Sequence, residues 1–298
     1  MTKQKIAIIG AGKLANSLTS ALIKSGYDVP IVISRKLSSA KSLAKKFSIP
    51  HHSNNLKNIP SDVNIFFITV QDGEIQKTAK ALSGLKRNFN ESICIHFSGV
   101  ENISAFKSLS MEGCAVGSLH IIRPFPSKDV VDIVNSPASV EAKDNRALVF
   151  LNQLCNKLKL KPHRITSDQK VFQHIAAVHS SNFLVGNLFN AFSLISSKSN
   201  TPKDIFRKTT QSALDNVFKL SPAKALSGPI DRGDVHTIRK HLDALNAEII
   251  KTKSSHLKLL RKNYIIQSIS LLEVVKAKYG KLSKNHLEMK KFLLKSLK

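Results

Sequence analysis

Apolar residues in the first half of the chain come in short runs, separated by stretches in which they recur at helical spacing. Lys5-Ile-Ala-Ile-Ile-Gly10 is an apolar strand closed by glycine, and Lys13 to Ser25 follows with Leu14, Leu18, Ala21 and Leu22 on one helical face. Gly26 stops that helix; Val29 to Ser34 gives a second strand, and Ser39 to Phe47 a second helix with Ala40, Leu43, Ala44 and Phe47 turned inward. Asn64 to Val70 and Ser92 to Phe97 are near-continuous apolar runs, as expected of strands buried on both faces of a parallel sheet, and Ile75 to Leu85 supplies the crossover helix between them. Ala115 to Ile122, Ala138 to Glu141 and a segment near His163 to Ile165 read as further strands, with a helix over Asp144 to Leu158. This alternation predicts an α/β domain, a doubly wound Rossmann domain over residues 1–166.

After Ser167 the pattern is helical throughout, which predicts an all-α domain over residues 167–298. One long helix is expected over Asp168 to Ser196, and Thr201-Pro202 stand in the favoured N-cap and first-turn positions of another. Asp234 opens a third helix over His236 to Ile249. Ser255 to Tyr279 forms a fourth, with Leu257, Leu260, Tyr264, Ile265, Ser268, Leu271, Leu272, Val275 and Tyr279 on one stripe before Gly280. Lys281 to Lys298 is amphipathic enough for a fifth. A stripe as long as Leu257 to Tyr279 exceeds what one small domain needs to bury, so it predicts a homodimer formed through the helical domain.

Composition changes this picture in one respect. The chain carries 46 Lys and Arg against 20 Asp and Glu, a net charge of +26 over 298 residues. Such a field attracts nucleic acid, anionic surfaces and phosphorylated ligands alike. The basic residues are spread along the chain, and the phenylalanines follow core spacing instead of interleaving with them, so nucleic acid is not the expected partner. No run is long enough for a membrane span or a signal-peptide core, which makes a cytoplasmic protein the expectation. Cys94, Cys114 and Cys155 are widely spaced and apolar-flanked, as core thiols are, and no metal site is expected.

Gly10-Ala11-Gly12-Lys13-Leu14-Ala15 matches G-x-G-x-x-G/A at the strand-to-helix turn of a βαβ unit. Gly10 makes the turn, Gly12 lets backbone approach a pyrophosphate, Ala15 lets helix and strand pack, and the helix opening at Lys13 and Leu14 offers free N–H groups to phosphate. A chain that binds NAD places an acid at the end of the second strand, about 20 residues on. Ser34-Arg35-Lys36 stand there instead, a hydroxyl and a guanidinium that favour the 2′-phosphate of NADP(H) over repelling it.

Three strand ends face the same crevice: Val70-Gln71-Asp72, His96-Phe97-Ser98-Gly99 and Ser118-Leu119-His120. In the helical part His174, Val178 and Asn182 follow i, i+4, i+8, with His179 and Ser181 beside them. These polar groups either hydrogen-bond a neighbouring helix or touch a substrate. Ser227 to Asp234 is a Gly/Pro-rich loop in which Asp234 and Arg232 read either as an N-cap and a surface ion pair or as a receptor for carboxylate or phosphate.

Taken together, GAGKLA, the strand ends VQD, HFSG and GSLH, and the segments His174–Val185 and Ala225–Leu245 resemble the family of Rossmann-like oxidoreductases with a helical C-terminal domain of unknown function. That family is similar to pyrroline-5-carboxylate reductase, ketopantoate reductase and 6-phosphogluconate dehydrogenase, and some members form an alternative class of ketopantoate reductase. The resemblance implies a dimer, NADP(H), and hydride delivery to a small keto acid, as in the ketopantoate-to-pantoate step of pantothenate biosynthesis. The chain departs from the pattern at Ile121, where the family tends to have Pro, and at Arg123-Pro124. The lysine that ketopantoate reductase and 6-phosphogluconate dehydrogenase place four residues before an Asn is Val178 here, so another group must protonate the product.

The expectation is therefore NADPH across Gly10–Ala15, Ser34 and Arg35, with its nicotinamide near Val70, Gln71, Asp72, Ser98 and Gly99. The candidate catalytic residues are His174 or His120 as general acid, Asn182 orienting the carbonyl, and Arg232, with Arg123 or Asp234 nearby in role, holding a substrate carboxylate. The rival readings are an imine reductase of the pyrroline-carboxylate type and a non-catalytic protein that senses NADP or associates with nucleic acid.

Overall fold

The structure is a computed structural model that describes residues 4–196 and 203–297. The chain divides into two compact units, residues 1–184 and 185–298.

The first unit is built on one eight-stranded sheet in the order β3-β2-β1-β4-β5-β6-β7-β8. The strands are β1 (Lys5–Ile9), β2 (Asp28–Ile33), β3 (His51–Ser53), β4 (Ile65–Ile68), β5 (Ile93–His96), β6 (Ala115–Ile121), β7 (Pro137–Ala142) and β8 (Lys161–Arg164). Its helices are α1 (Lys13–Lys24), α2 (Leu37–Lys46), α3 (Ile75–Ser83), α4 (Lys107–Met111), α5 (Asn145–Lys157) and α6 (Ser167–Ala177). The central strands have no solvent face because alternate residues serve two cores. Ile6, Ile8, Ile65 and Phe67 pack with α1, α2 and α5, whereas Ala7, Ile9, Phe66 and Ile68 pack with α3 and α4.

The three-residue β3 has a polar sequence, His51-His52-Ser53, and α4 is barely longer than a turn, so neither is predicted from periodicity. Strands β1 to β6 pair in parallel, but β7 runs antiparallel to β6, with Ser118 opposite Glu141 and His120 opposite Ser139, and β8 is parallel to β7. An apolar run carries no mark of its direction, so periodicity does not foretell this reversal.

Beyond α6 the helix does not continue regularly. A π turn occupies Val178–Asn182 before α7 (Phe183–Ser196) resumes. A π turn closes i→i+5 bonds, so the α-helical spacing that would align Asn182 with His174 is lost at Val178.

The second unit contains α8 (Arg207–Leu220), α9 (Pro222–Ala225), α10 (Pro229–Arg232), α11 (Val235–Thr252), α12 (Ser255–Tyr279) and α13 (Lys284–Leu297). The helix start expected at Thr201–Pro202 lies outside the described residues. Ser254 caps α12 through Leu257 N–H, and Gly280 ends it in the left-handed conformation. Leu260, Ile265, Ser268, Leu272 and Val275 of its stripe are buried, and the core they join includes Ile238 and Leu242 of α11 and Met289 and Leu293 of α13. The centre of the stripe is thus buried within its own unit, with Leu257, Tyr264 and Leu271 half-buried and Tyr279 exposed. Its length is no argument for a second subunit.

All three cysteines are buried and free. Among the described residues no helix is long and apolar enough to cross a membrane, and no cluster of side chains suits a metal ion.

Candidate active site

The turn after β1 is shaped by contact as well as by conformation. Gly10 has φ +120°, and a Cβ there would lie 2.6 Å from the Thr69 carbonyl group. Its N–H donates to Ile33 O at 2.7 Å, and Thr69 Oγ1 donates to Gly10 O at 3.1 Å. Gly12 is different: its φ of −83° suits any residue, and a Cβ would meet Thr69 O only at an ordinary 3.9 Å. Nothing among the described residues therefore requires glycine there, which fits a position kept bare for something outside the fold. Gly12 is the N-cap of α1 and no side chain caps the helix, so the first N–H groups remain free for an anion.

A cleft of about 560 Å³ opens from this turn, within the usual range for ligand sites. Gly10, Gly12, Ser34, Arg35, Val70 and Gln71 are among the residues that line it, together with Lys36, Asn54, Thr69, Glu74, Lys77 and Lys128. Arg35 Nη1 stands 3.8 Å from Glu74 Oε2, an exposed pair that leaves the guanidinium free to turn toward a ligand. A cradle with free N–H groups and a lysine- and arginine-bearing far end fits a phosphorylated dinucleotide. Lys13 and Leu14 open α1 without lining the cleft, and Asp72 lies in a short 3-10 turn, Asp72–Glu74.

The ends of β5 and β6 hold a second group of residues. A Cβ on Gly99 would lie 2.6 Å from His174 Nδ1 and 2.9 Å from His120 Nε2, so only glycine admits both imidazoles. The two rings meet edge to face with centroids 5.9 Å apart. Among the described residues neither His120 Nδ1 nor His174 Nδ1, both buried, has a hydrogen-bond partner. Burial, then His174 and Lys170 nearby, push the His120 pKa down to about 4, so that ring is neutral in ordinary solution. Ser98 holds the loop that follows β5, because its hydroxyl accepts from Val100 N at 3.1 Å and Glu101 N at 2.9 Å.

His96 is fully buried, accepts at Nδ1 from Ser98 N at 3.3 Å and packs edge-on against Phe106. Burial, assisted by Lys170, lowers its pKa to about 3, so it is a neutral core group.

Behind these rings lies a feature that motifs and periodicity do not disclose. Lys170, on α6, is 1% exposed; its Nζ bonds Glu141 Oε2 at 3.2 Å and donates to Ser118 Oγ. Burial lowers the lysine pKa, while Glu141 opposes that shift. The available signal was an acid inside the apolar run of β7 and a lysine one helical turn before His174.

Asn182 is exposed at the end of the π turn, where its Oδ1 accepts from Ser181 Oγ at 2.9 Å. Arg232 is exposed at the C-terminal end of α10, and Asp234 is the N-cap of α11, its Oδ1 accepting from Thr237 N at 3.0 Å and its Oδ2 from Thr237 Oγ1 at 2.7 Å. Those bonds hold the Asp234 carboxyl below the usual range. Of the catalytic candidates, His120 and His174 are brought together within the first unit.

Residues 5–98 match the family model described as NADP oxidoreductase, coenzyme F420-dependent, and residues 136–257 match a domain of unknown function, DUF2520. The chain is a Rossmann-like oxidoreductase. Its cofactor class is NADP(H). No curated protein matches the oxidoreductase chain. Among solved structures it resembles a protein of Bacteroides fragilis provisionally described as an NADP oxidoreductase, with 24% identity, TM-score 0.77, and coverage of 91% of this chain and 98% of that one. A reductive aminase from Aspergillus terreus in complex with NADPH and ethyl-5-oxohexanoate shares 12% identity at TM-score 0.58, covering 99% of this chain and 94% of the other. A pyrroline-5-carboxylate reductase from Coxiella burnetii shares 14% identity at TM-score 0.54, covering 88% and 97%. At these identities the oxidoreductase shares the fold of those enzymes.

Proposed function

We propose that the protein is an NADPH-dependent reductase of a small polarised C=O group, with a 2-keto acid of the ketopantoate type as its first candidate substrate and the 2-hydroxy acid pantoate as product. The observation that carries this reading is the meeting of Gly99, His120 and His174 at the C-terminal ends of β5 and β6, the edge at which sheets of this kind bind ligands. NADP(H) would be held by the Gly10–Gly12 turn, the N-terminus of α1, Ser34 and Arg35; when bound it supplies the hydride. His120, neutral through burial, is suited to donate a hydrogen bond to the carbonyl oxygen. His174 is the group assigned to hand a proton to the developing alkoxide. Gly99 leaves room for both rings at the reacting group.

A second reading, reduction of a C=N bond, is favoured by the same depressed His120 pKa. A protonated imine arrives with its proton and needs a neutral neighbour more than an acid. The deciding experiment is NADPH oxidation by the full-length protein with ketopantoate and with pyrroline-5-carboxylate. Turnover of the first alone supports the keto-acid reading and turnover of the second alone replaces it with the imine reading. A folded protein inactive on both would leave dinucleotide sensing as the function.

The proposal includes a homodimer. Val171, Phe172 and Ile175 on α6 and Phe183, Val185 and Phe189 on α7 expose apolar side chains, Phe172 by 74%.

A further inference from the structure

The chemistry proposed above makes no use of Lys170 and Glu141, although they are a buried ion pair beside it. Removing two charges from water is costly, and an apolar pair of similar volume would hold a helix to a sheet at least as well. The pair also makes more connections than packing requires. Glu141 Oε2 accepts from Lys170 Nζ at 3.2 Å and from Ser118 Oγ at 3.4 Å, while Oε1 accepts from Ser167 Oγ and, at 3.5 Å, from Ile103 N. One carboxylate thus joins the first turn of α6, strand β6 and the segment after β5.

Two spacings give this arrangement its direction. Ser118 precedes His120 by two residues, so both point to the same face of β6. Lys170 precedes His174 by four, so both lie on the same face of α6, one turn apart. A position fixed at Lys170 against Ser118 is therefore passed along a stiff turn of helix to His174 against His120. The ammonium is not a substrate anchor, because it is sealed from solvent and Glu141 neutralises it.

We propose that the Lys170–Glu141 pair is a positioning device that sets the approach of His174 to His120 and Gly99. Its kinetic consequence rests on the reductase reading; its structural consequence does not. The test uses the full chain carrying Lys170→Met with Glu141→Gln, which removes both charges and strands neither. In the wild type, magnetisation transfer between the ring protons of His120 and His174 should be observed by NMR. In the double variant it should be lost while core methyl signals persist and the Kd for NADPH changes by no more than roughly twofold. With whichever substrate the wild type reduces, kcat should fall roughly tenfold or more with KM little changed, as expected of misplacement.

A folded double variant that keeps the ring-to-ring signal, or keeps wild-type kcat, overturns the proposal. Should that variant fail to fold, Ser118→Ala removes one tether only. It should weaken the signal in part, and an unchanged signal overturns the proposal equally. If the wild type reduces neither candidate substrate, the reductase reading fails and the NMR comparison still decides this one.

Discussion

His174 Nδ1 sits 2.6 Å from the point a Cβ on Gly99 would occupy, closer than real side-chain contacts allow. Gly99→Ala should therefore push His174 or His120 aside without touching the dinucleotide turn. The expected outcome is a loss of roughly tenfold or more in kcat, since small displacements at a reacting centre are costly. NADPH affinity, read by fluorescence titration, should stay near wild type; a parallel loss of affinity would show that the cofactor site had been disturbed.

Gly10→Ala should behave in the opposite way. The substitution meets backbone at 2.6 Å and must adopt φ +120°. A cost of about 1–3 kcal/mol is expected from the conformation alone, and NADPH binding should be lost. A protein that still binds NADPH normally would mean that the turn has more freedom than its packing on Thr69 implies.

Arg35→Asp should erase or reverse the preference for NADPH over NADH, for which the wild type is expected to show roughly tenfold or more in Kd. Calorimetry with both nucleotides measures this directly. Equal constants in the wild type would remove Ser34 and Arg35 from the recognition of the 2′-phosphate.

Stability should fall on mild acidification. In the unfolded chain the two imidazoles take up protons near the ordinary 6.5, whereas in the folded chain His120 does so only near about 4 and His96 near about 3. Between those values the unfolded state holds more protons, so stability is full above about pH 6.5 and is lost progressively as the pH falls toward 4 and then 3. At the acid end the two shifts together come to roughly 8 kcal/mol. Urea midpoints at several pH values would measure it, and His120→Gln should flatten the upper part of the curve. A stability independent of pH across that window would contradict the burial of both rings.

Light scattering should report a dimer at micromolar concentration, and Phe172→Asp should shift it toward monomer. A monomeric wild type would leave the apolar surface of α6 and α7 to another partner.

The parts of this structure that sequence reveals are those set by near neighbours. The Gly10–Ala15 turn follows from strand, glycines and helix within a dozen positions, and Asp234 and Gly280 mark helix ends by their own conformational preferences. The α12 stripe is legible as burial, but what covers it is not, because that depends on where α11 and α13 fall. Asn182 slips from its expected face because the helix changes period at Val178, and no residue announces a π turn. Lys170 and Glu141 stand 29 positions apart and meet only because β7 is reversed.

That reversal also decides the direction in which α6 travels. With β8 parallel to the reversed β7, the chain leaves β8 at the level of Glu141 and turns back, so that Ser167, Lys170 and His174 succeed one another toward the end of β6. Only Ile165, whose N–H donates to Val140 O, and Thr166, the N-cap of α6, connect sheet to helix, so they set which face carries the histidine. Deleting one residue from that connection would turn the face of the helix by about 100°, carrying His174 away from His120 while leaving the dinucleotide cleft whole.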